Sequence, residues 1–269
     1  MGRCSCFVGG DNEQDIKFSI IVPAHNEEKY IGRCLDSIVA ASNIYKNQVE
    51  VIVVLNRCSD RTEEIAQSYH CITVQDENKN LSKIRNAGAK IARGEIIVTI
   101  DADSSMSENM LIEIERHLMT GKYIGGGVKG KFERISLGII VSGLFLIIPL
   151  IFKYGFISVG MFWCYRKDFN AIGGFNESLL MAEDAEFAMR LKKHGKTCKK
   201  KFTTIKKAYM TTSCRKFDEH GDWALIKRPQ IIFAYLKGTN RKYANELYYE
   251  KEKEKEKETE KEKETEKEN

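Results

Sequence analysis

From position 18 onward the chain alternates short apolar runs with stretches whose apolar residues recur every three or four positions. The runs at 18–22, 49–55, 71–74 and 96–100 are rich in Ile and Val and too short for helices, so each predicts a buried strand. Between them, 28–41, 62–69 and 82–92 carry helical spacing, with Ser59 and Asp60, or Ser82, as N-caps. The order is βαβαβαβ. It predicts an α/β fold with a Rossmann-like, mostly parallel central sheet flanked by helices, and ligands beyond the C-terminal ends of the strands. A further helical stretch, 182–194, opens on Glu183 and Asp184.

One apolar run stands apart. Residues 135–152, between Arg134 and Lys153, carry no charge, and as a helix they reach about 27 Å, close to the thickness of a bilayer core. Acidic pairs at 101–103 and 183–184 flank this run, and a single crossing would put them on opposite sides of a membrane. If they share a site, the run lies in the membrane interface, re-enters, or is buried in protein. Gly138, Gly143 and Pro149 suit any of these.

Charge and composition refine the picture at the ends. Residues 250–269 hold 7 Lys, 10 Glu and otherwise only Thr and Asn, a composition that cannot bury a core and predicts a disordered charged tail. The body is therefore more basic than the chain's net charge of +5. Its basic stretches, 192–207 and 215–242, face anionic headgroups, nucleotide phosphates or plain solvent. Eight cysteines form no CxxC pair and have no His at zinc spacing, which fits free thiols in a reducing compartment. The N-terminus lacks the apolar core of a secretory signal. Gly2 with Cys4 or Cys6 offers an acylation site, although Cys6 stands where Ser or Thr is the rule.

Candidate chemistry gathers at the predicted strand ends. Asp101, Ala102 and Asp103, a DxD motif, follow the strand at 96–100, where a turn aims both carboxylates above the sheet. Hard oxygen donors there suit Mg²⁺ or Mn²⁺, which keep positions open for a diphosphate; Asp is also common in turns and caps. Further polar clusters follow strand ends on the same side: Pro23, Ala24, His25, Asn26, Glu27 and Glu28, then Asn56 with Asp60, then Asn80 to Gly88 with Arg85. Converging loops of this kind fit a nucleotide, with Asn and Glu toward base and ribose and Arg85 toward the diphosphate. Asp184 is placed to take a proton from an acceptor hydroxyl, although the helix macrodipole alone favours carboxylates there. Gly173 and Gly174 allow the backbone close to a sugar or acceptor. In the polar loop 215–223, His220 completes a metal site or sits as a surface histidine, and Trp223 covers the donor or anchors at a membrane interface.

The segments FSIIVPAHNEE, VIVVLNRCSDRTEEIA, NAGAKIARGEIIVTIDADS and IGGFNESLLMAEDAEFAMRLKKHG, spread in that order over 18–195, resemble glycosyltransferase family 2 with its GT-A fold. The resemblance implies an inverting displacement from a nucleotide-sugar, UDP-linked by expectation, onto a sugar, lipid or other hydroxyl acceptor. It implies Mn²⁺ or Mg²⁺ on Asp101 and Asp103, a base at Asp184 beside Glu183, and a nucleotide pocket at Pro23, His25, Glu27, Asn56 and Arg85. Ala24, Asn26, Asp60 and Ala102 belong to the same loops. Two departures matter: Asn56 stands where many members have Asp, and the Gln-x-x-Arg-Trp motif of processive synthases is missing, which points to transfer of a single sugar.

In these terms residues 1–17 form an extension and 18–249 a GT-A domain, with 18–103 its nucleotide-binding half and 104–249 its acceptor half. The expected setting is the cytosolic face of a membrane, peripheral or monotopic, with no nucleic-acid partner. A sugar-nucleotide pyrophosphorylase would want a glycine-rich loop after the first strand, and Pro-Ala-His-Asn-Glu has none. A non-catalytic nucleotide-sugar-binding protein on the same fold is the other alternative; Asn56 favours it weakly, and Asp101, Asp103 and Asp184 weigh against it.

Overall fold

The computed structural model describes residues 15–155 and 160–245; Gly2, Cys4, Cys6 and the tail at 250–269 lie outside them. The first half is built as the apolar pattern predicts. Strands β1 (Phe18–Ala24), β2 (Val49–Leu55), β3 (Ile72–Gln75) and β4 (Ile96–Thr99) alternate with helices α1 (Ile31–Ser42), α2 (Thr62–Ser68) and α3 (Leu81–Ile91). Every residue of β1, β2 and β4 is buried, because helices cover both faces of a parallel sheet. The two-residue period then divides each strand between two cores. Phe18, Ile20 and Val22 pack with Ile31, Leu35 and Ile38 of α1, while Ile21, Ile52 and Val54 pack with Ile84 of α3. Gly88 lets α3 lie close on the sheet, since a Cβ there would come within 2.7 Å of Ile21. The N-cap of α3 is Asn80, which accepts from Lys83 N at 3.1 Å, rather than Ser82, which is buried inside the helix.

The second half continues the same sheet. It comprises β5 (Ser104–Met106), α4 (Met110–Met119), β6 (Tyr123–Phe132), α5 (Leu137–Tyr154), β7 (Phe162–Tyr165), α6 (Arg166–Ala171), α7 (Glu183–Thr197), β8 (Lys201–Thr212), α8 (Arg215–His220), α9 (Ala224–Lys227) and α10 (Gln230–Lys237). The strand order is β3-β2-β1-β4-β7-β6-β8-β5. β1 to β4 pair in parallel. β7 enters antiparallel between β4 and β6, β8 runs parallel to β6, and β5 closes the edge antiparallel to β8. The sheet is thus parallel where it carries the strand-end loops and mixed beyond. The apolar run forms α5, capped by Ser136, which accepts from Ile139 N at 3.1 Å. The polar stretch at 215–223, expected as a loop, begins with the short helix α8.

The glycines of β6 explain how its neighbours close in. A Cβ at Gly126 would lie 2.0 Å from the Thr203 carbonyl oxygen of β8 and 2.8 Å from the Trp163 ring of β7. Gly126→Ala should therefore cost about 3 kcal/mol of stability, read as a lowered urea midpoint by circular dichroism. A change under about 0.5 kcal/mol would show that β6, β7 and β8 are not packed this closely.

Candidate active site

The loops after β1 and β2 are locked to each other. His25 Nδ1 lies 2.6 Å from the Asn56 carbonyl oxygen, Ser59 N donates to Asn26 Oδ1 at 2.8 Å, and Glu27 N donates to Thr62 Oγ1 at 2.8 Å. Asn26 adopts a left-handed φ of 53°, which an asparagine tolerates better than most residues. Asp60 accepts from Thr62 N at 3.0 Å and from Glu28 N at 3.1 Å, so its carboxylate shapes the turn. Asn56 is buried and its Nδ2 donates to two carbonyls, Asp76 at 2.6 Å and Asn78 at 2.9 Å. A carboxylate in this place would press negative charge against both carbonyls, which accounts for an amide here. Its own Oδ1 is buried with no hydrogen-bond partner. Pro23 and Ala24 are the buried end of β1, and Ala102 is buried between the two aspartates.

Across from these loops, α3 supplies Arg85, only 3% exposed. Its Nη2 donates to Asp101 Oδ1 and its Nη1 to Glu183 Oε1, each at 2.7 Å. The guanidinium carbon sits 5.2 Å from the centre of the Phe175 ring. In this arrangement Arg85, expected on a diphosphate, joins the DxD turn to the start of α7, and its buried Nε has no hydrogen-bond partner. Phe175 is held by Asn86, whose side chain accepts from Phe175 N and donates to its carbonyl, both at 2.9 Å. Gly174, at φ 65°, is the residue that permits this approach, since a Cβ would stand 2.6 Å from Asn86 Oδ1. That glycine therefore serves the backing of the site.

Asp184 follows Glu183 at the N-terminus of α7, whose cap residue Ala182 takes a left-handed φ of 57°. A non-glycine residue there is strained by about 1–3 kcal/mol, and such strain collects at functional sites. Asp184 Oδ1 accepts from Ala185 N at 2.7 Å. Burial, reinforced by the neighbouring Glu183 charge and opposed by Arg85, pushes the Asp184 carboxyl up to about 7. Such a group is poised to exchange a proton near neutrality.

The third side of the site comes from the far end of the chain. Ser213 Oγ donates to Asp103 Oδ2 at 2.8 Å. Arg215, the first residue of α8, forks Glu27 at 2.6 and 2.9 Å and approaches Asp103 Oδ2 at 3.5 Å. Burial raises the Glu27 carboxyl, and the Arg215 hydrogen bond and charge offset the rise only in part. His220, expected beside the aspartates, is the last residue of α8, whose first residue is Arg215. Among the described residues no three His, Cys, Asp or Glu side chains gather into a metal cluster, so Asp101, Asp103 and His220 do not form one. What the site does offer is two hard-oxygen side chains on one turn. Mg²⁺ and Mn²⁺ accept such a pair when substrate phosphates complete the shell.

Comparison with known proteins places the chain in a glycosyltransferase family. Residues 19–170 match the family model described as glycosyl transferase family 2. The probable glycosyltransferase YdaM of Bacillus subtilis is 29% identical over 199 residues, 65% of this chain and 46% of that protein. The poly(ribitol-phosphate) beta-N-acetylglucosaminyltransferase TarS of Staphylococcus aureus is 32% identical over 102 residues, 36% of this chain and 18% of that one. The chain spans less than half the length of these curated relatives. Among solved structures, S. aureus TarS 1-349 in complex with UDP-GlcNAc superposes with a TM-score of 0.57 at 23% identity, covering 73% of this chain and 58% of that one. The mannosyltransferase PcManGT of Pyrobaculum calidifontis, in complex with GDP-Man and Mn²⁺, gives 0.60 at 18% identity, covering 86% and 65%. These two likenesses show a shared GT-A-like fold.

The raised Asp184 carboxyl has a measurable cost. Between the unfolded value of 3.8 and about 7 the folded state holds a proton that the unfolded chain has lost, so stability contributed by this group falls as pH rises through that window. Asp184→Asn, which carries no charge at any pH, should be more stable than the parent at pH 8 and should flatten this part of the curve. Parallel urea midpoints for both proteins from pH 4 to pH 8 would show that Asp184 ionises at its ordinary value.

Proposed function

The chain belongs to glycosyl transferase family 2, and on that premise we propose that it moves one sugar from a nucleotide-sugar onto an acceptor hydroxyl by a metal-dependent, inverting displacement. The observation that carries this reading is the division of carboxylates. Asp101 and Asp103 sit on the turn after β4, Asp184 stands apart at the start of α7, and Arg85 joins the two groups through Asp101 and Glu183. An inverting transfer needs such a division, with the leaving group stabilised on one side of the sugar and a base on the other. The complexes of similar folds with UDP-GlcNAc, and with GDP-Man and Mn²⁺, support a nucleotide-sugar donor and a divalent cation.

The roles follow from the geometry. The loops after β1 and β2, fixed by His25, Asn26, Asp60 and Asn56, form a rigid seat for the base and ribose. Asp101 and Asp103 would hold Mn²⁺ or Mg²⁺, which when bound offsets the negative charge that builds on the departing nucleoside diphosphate. Asp103 is otherwise held by Ser213 and approached by Arg215, so donor and cation compete with α8 for this carboxylate and for Glu27. Asp184 accepts the acceptor's proton, and Glu183, fixed on Arg85, holds it in place.

Incubation of the purified chain with a panel of UDP- and GDP-sugars, with and without Mn²⁺, tests this. Release of the nucleotide should depend on the metal, and no metal-stimulated turnover with any donor would leave a binding protein. Because the base must be ionised, the rate should rise with pH to a plateau, with its midpoint near 7. Asp184→Asn should lose about 10²–10⁴-fold in kcat while keeping nucleotide affinity; a variant that turns over normally would move the base elsewhere.

A further inference from the structure

Helix α5 lies against the domain on one side only. Its inward stripe repeats every four residues: Gly138, Ser142, Leu150 and Tyr154 are buried, with Leu146 packed between them. Helices α7, α9 and α10 pack along it. Both ends are fastened to the same body. Just before α5, Arg134 donates to Asp218 at 2.5 Å and to Asp222 at 2.8 Å. In the second turn Ser142 Oγ donates to the Asp222 carbonyl at 2.7 Å. At the far end Leu150 and Tyr154 cluster with Ala182 and Ala185, which bracket Glu183 and Asp184. A helix tied to one folded domain at both ends cannot carry those ends to opposite sides of a bilayer.

The outward side is apolar throughout. Leu137, Ile140, Leu144, Ile148 and Phe152 are exposed, from 48% at Ile140 to 88% at Phe152, and none carries a hydrogen-bonding group. Soluble monomers rarely leave so continuous an apolar surface uncovered. The charge around it indicates what covers it. Residues 135–155 together with 223–245 contain Lys153, Lys227, Arg228, Lys237, Arg241 and Lys242 and no Asp or Glu. Two copies meeting through this face would set like charges against each other, whereas anionic headgroups complement them. Trp223, 43% exposed beside α9, adds an aromatic of the kind that settles at the headgroup level.

We infer that α5 lies in the plane of an anionic phospholipid bilayer, its outward side among the acyl chains and the lysines of α9 and α10 at the headgroups, so that the domain is monotopic. The start of α7, packed on the last turn of α5, then belongs to the membrane-facing side of the domain. This docking does not depend on the catalytic reading.

Flotation of the purified 269-residue chain with vesicles tests it. The chain should float with vesicles of mixed phosphatidylcholine and phosphatidylglycerol, far less with phosphatidylcholine alone, and high salt should release part of it. Lys227→Glu with Lys237→Glu should weaken partition about tenfold or more. Leu144→Glu with Phe152→Glu should abolish flotation while the circular-dichroism spectrum stays that of the parent. The inference is overturned if the chain ignores both vesicles and runs as a dimer that the Leu144→Glu, Phe152→Glu variant splits, which would make a second copy the occupant.

Discussion

Arg85 is a paired charge in a place where charge is expensive, and the rest of the site is arranged around it. A guanidinium 3% exposed would be strongly destabilising without partners. It has two, at 2.7 Å each, and they come from opposite sides of the site: Asp101 from the turn after β4 and Glu183 from the start of α7. Sequence separations of 16 and 98 residues are bridged by one side chain. The geometry of the DxD turn and that of the candidate base are consequently not independent. A shift of α7 would unpair the arginine, and removal of the arginine would leave two carboxylates facing each other.

Other features become intelligible from that constraint. Ala182 takes a strained left-handed conformation directly before Glu183, the residue that meets Arg85. Burial raises the Asp184 carboxyl, the acidic neighbour Glu183 adds to the rise, and a backbone N–H is its hydrogen-bond donor. Phe175 closes over the guanidinium because Asn86, one residue after Arg85 on α3, grips its backbone. On the other flank Arg215 provides a second, less buried clamp on Glu27 and Asp103, from a short helix with no fully buried residue. The two clamps thus differ in burial: Arg85 is enclosed, while Arg215 stands nearer the surface.

Much of this was legible in the chain before any coordinates, and the limits have physical reasons. Strands β1, β2 and β4 are buried on both faces, so they read as unbroken Ile and Val runs, and their boundaries fell within a residue or two. β6 and β8 gave no such signal. β6 spends three consecutive positions on glycine so that Trp163 and Thr203 can approach, and β8 carries lysines on an exposed side. Asp101 and Asp103 stand out because they directly follow a predicted strand, and Asp184 because it opens a predicted helix. The partners that define them do not: Arg215 reaches Glu27 across 188 residues and Ser213 reaches Asp103 across 110, and no local pattern records either contact. Arg85 stood out beside the strand-end loops, but its burial and its pairing with Asp101 and Glu183 carry no local sequence signal.

The central claim is that the turn carrying Asp101 and Asp103 receives a nucleoside diphosphate together with a divalent cation. Calorimetric titration of the purified chain with UDP and with GDP, each in the presence and absence of Mn²⁺, measures it directly. The account predicts that one nucleotide binds, that Mn²⁺ strengthens the binding, and that Asp103→Ala removes the effect of the metal. Binding of neither nucleotide, or binding indifferent to both Mn²⁺ and Asp103, would contradict it.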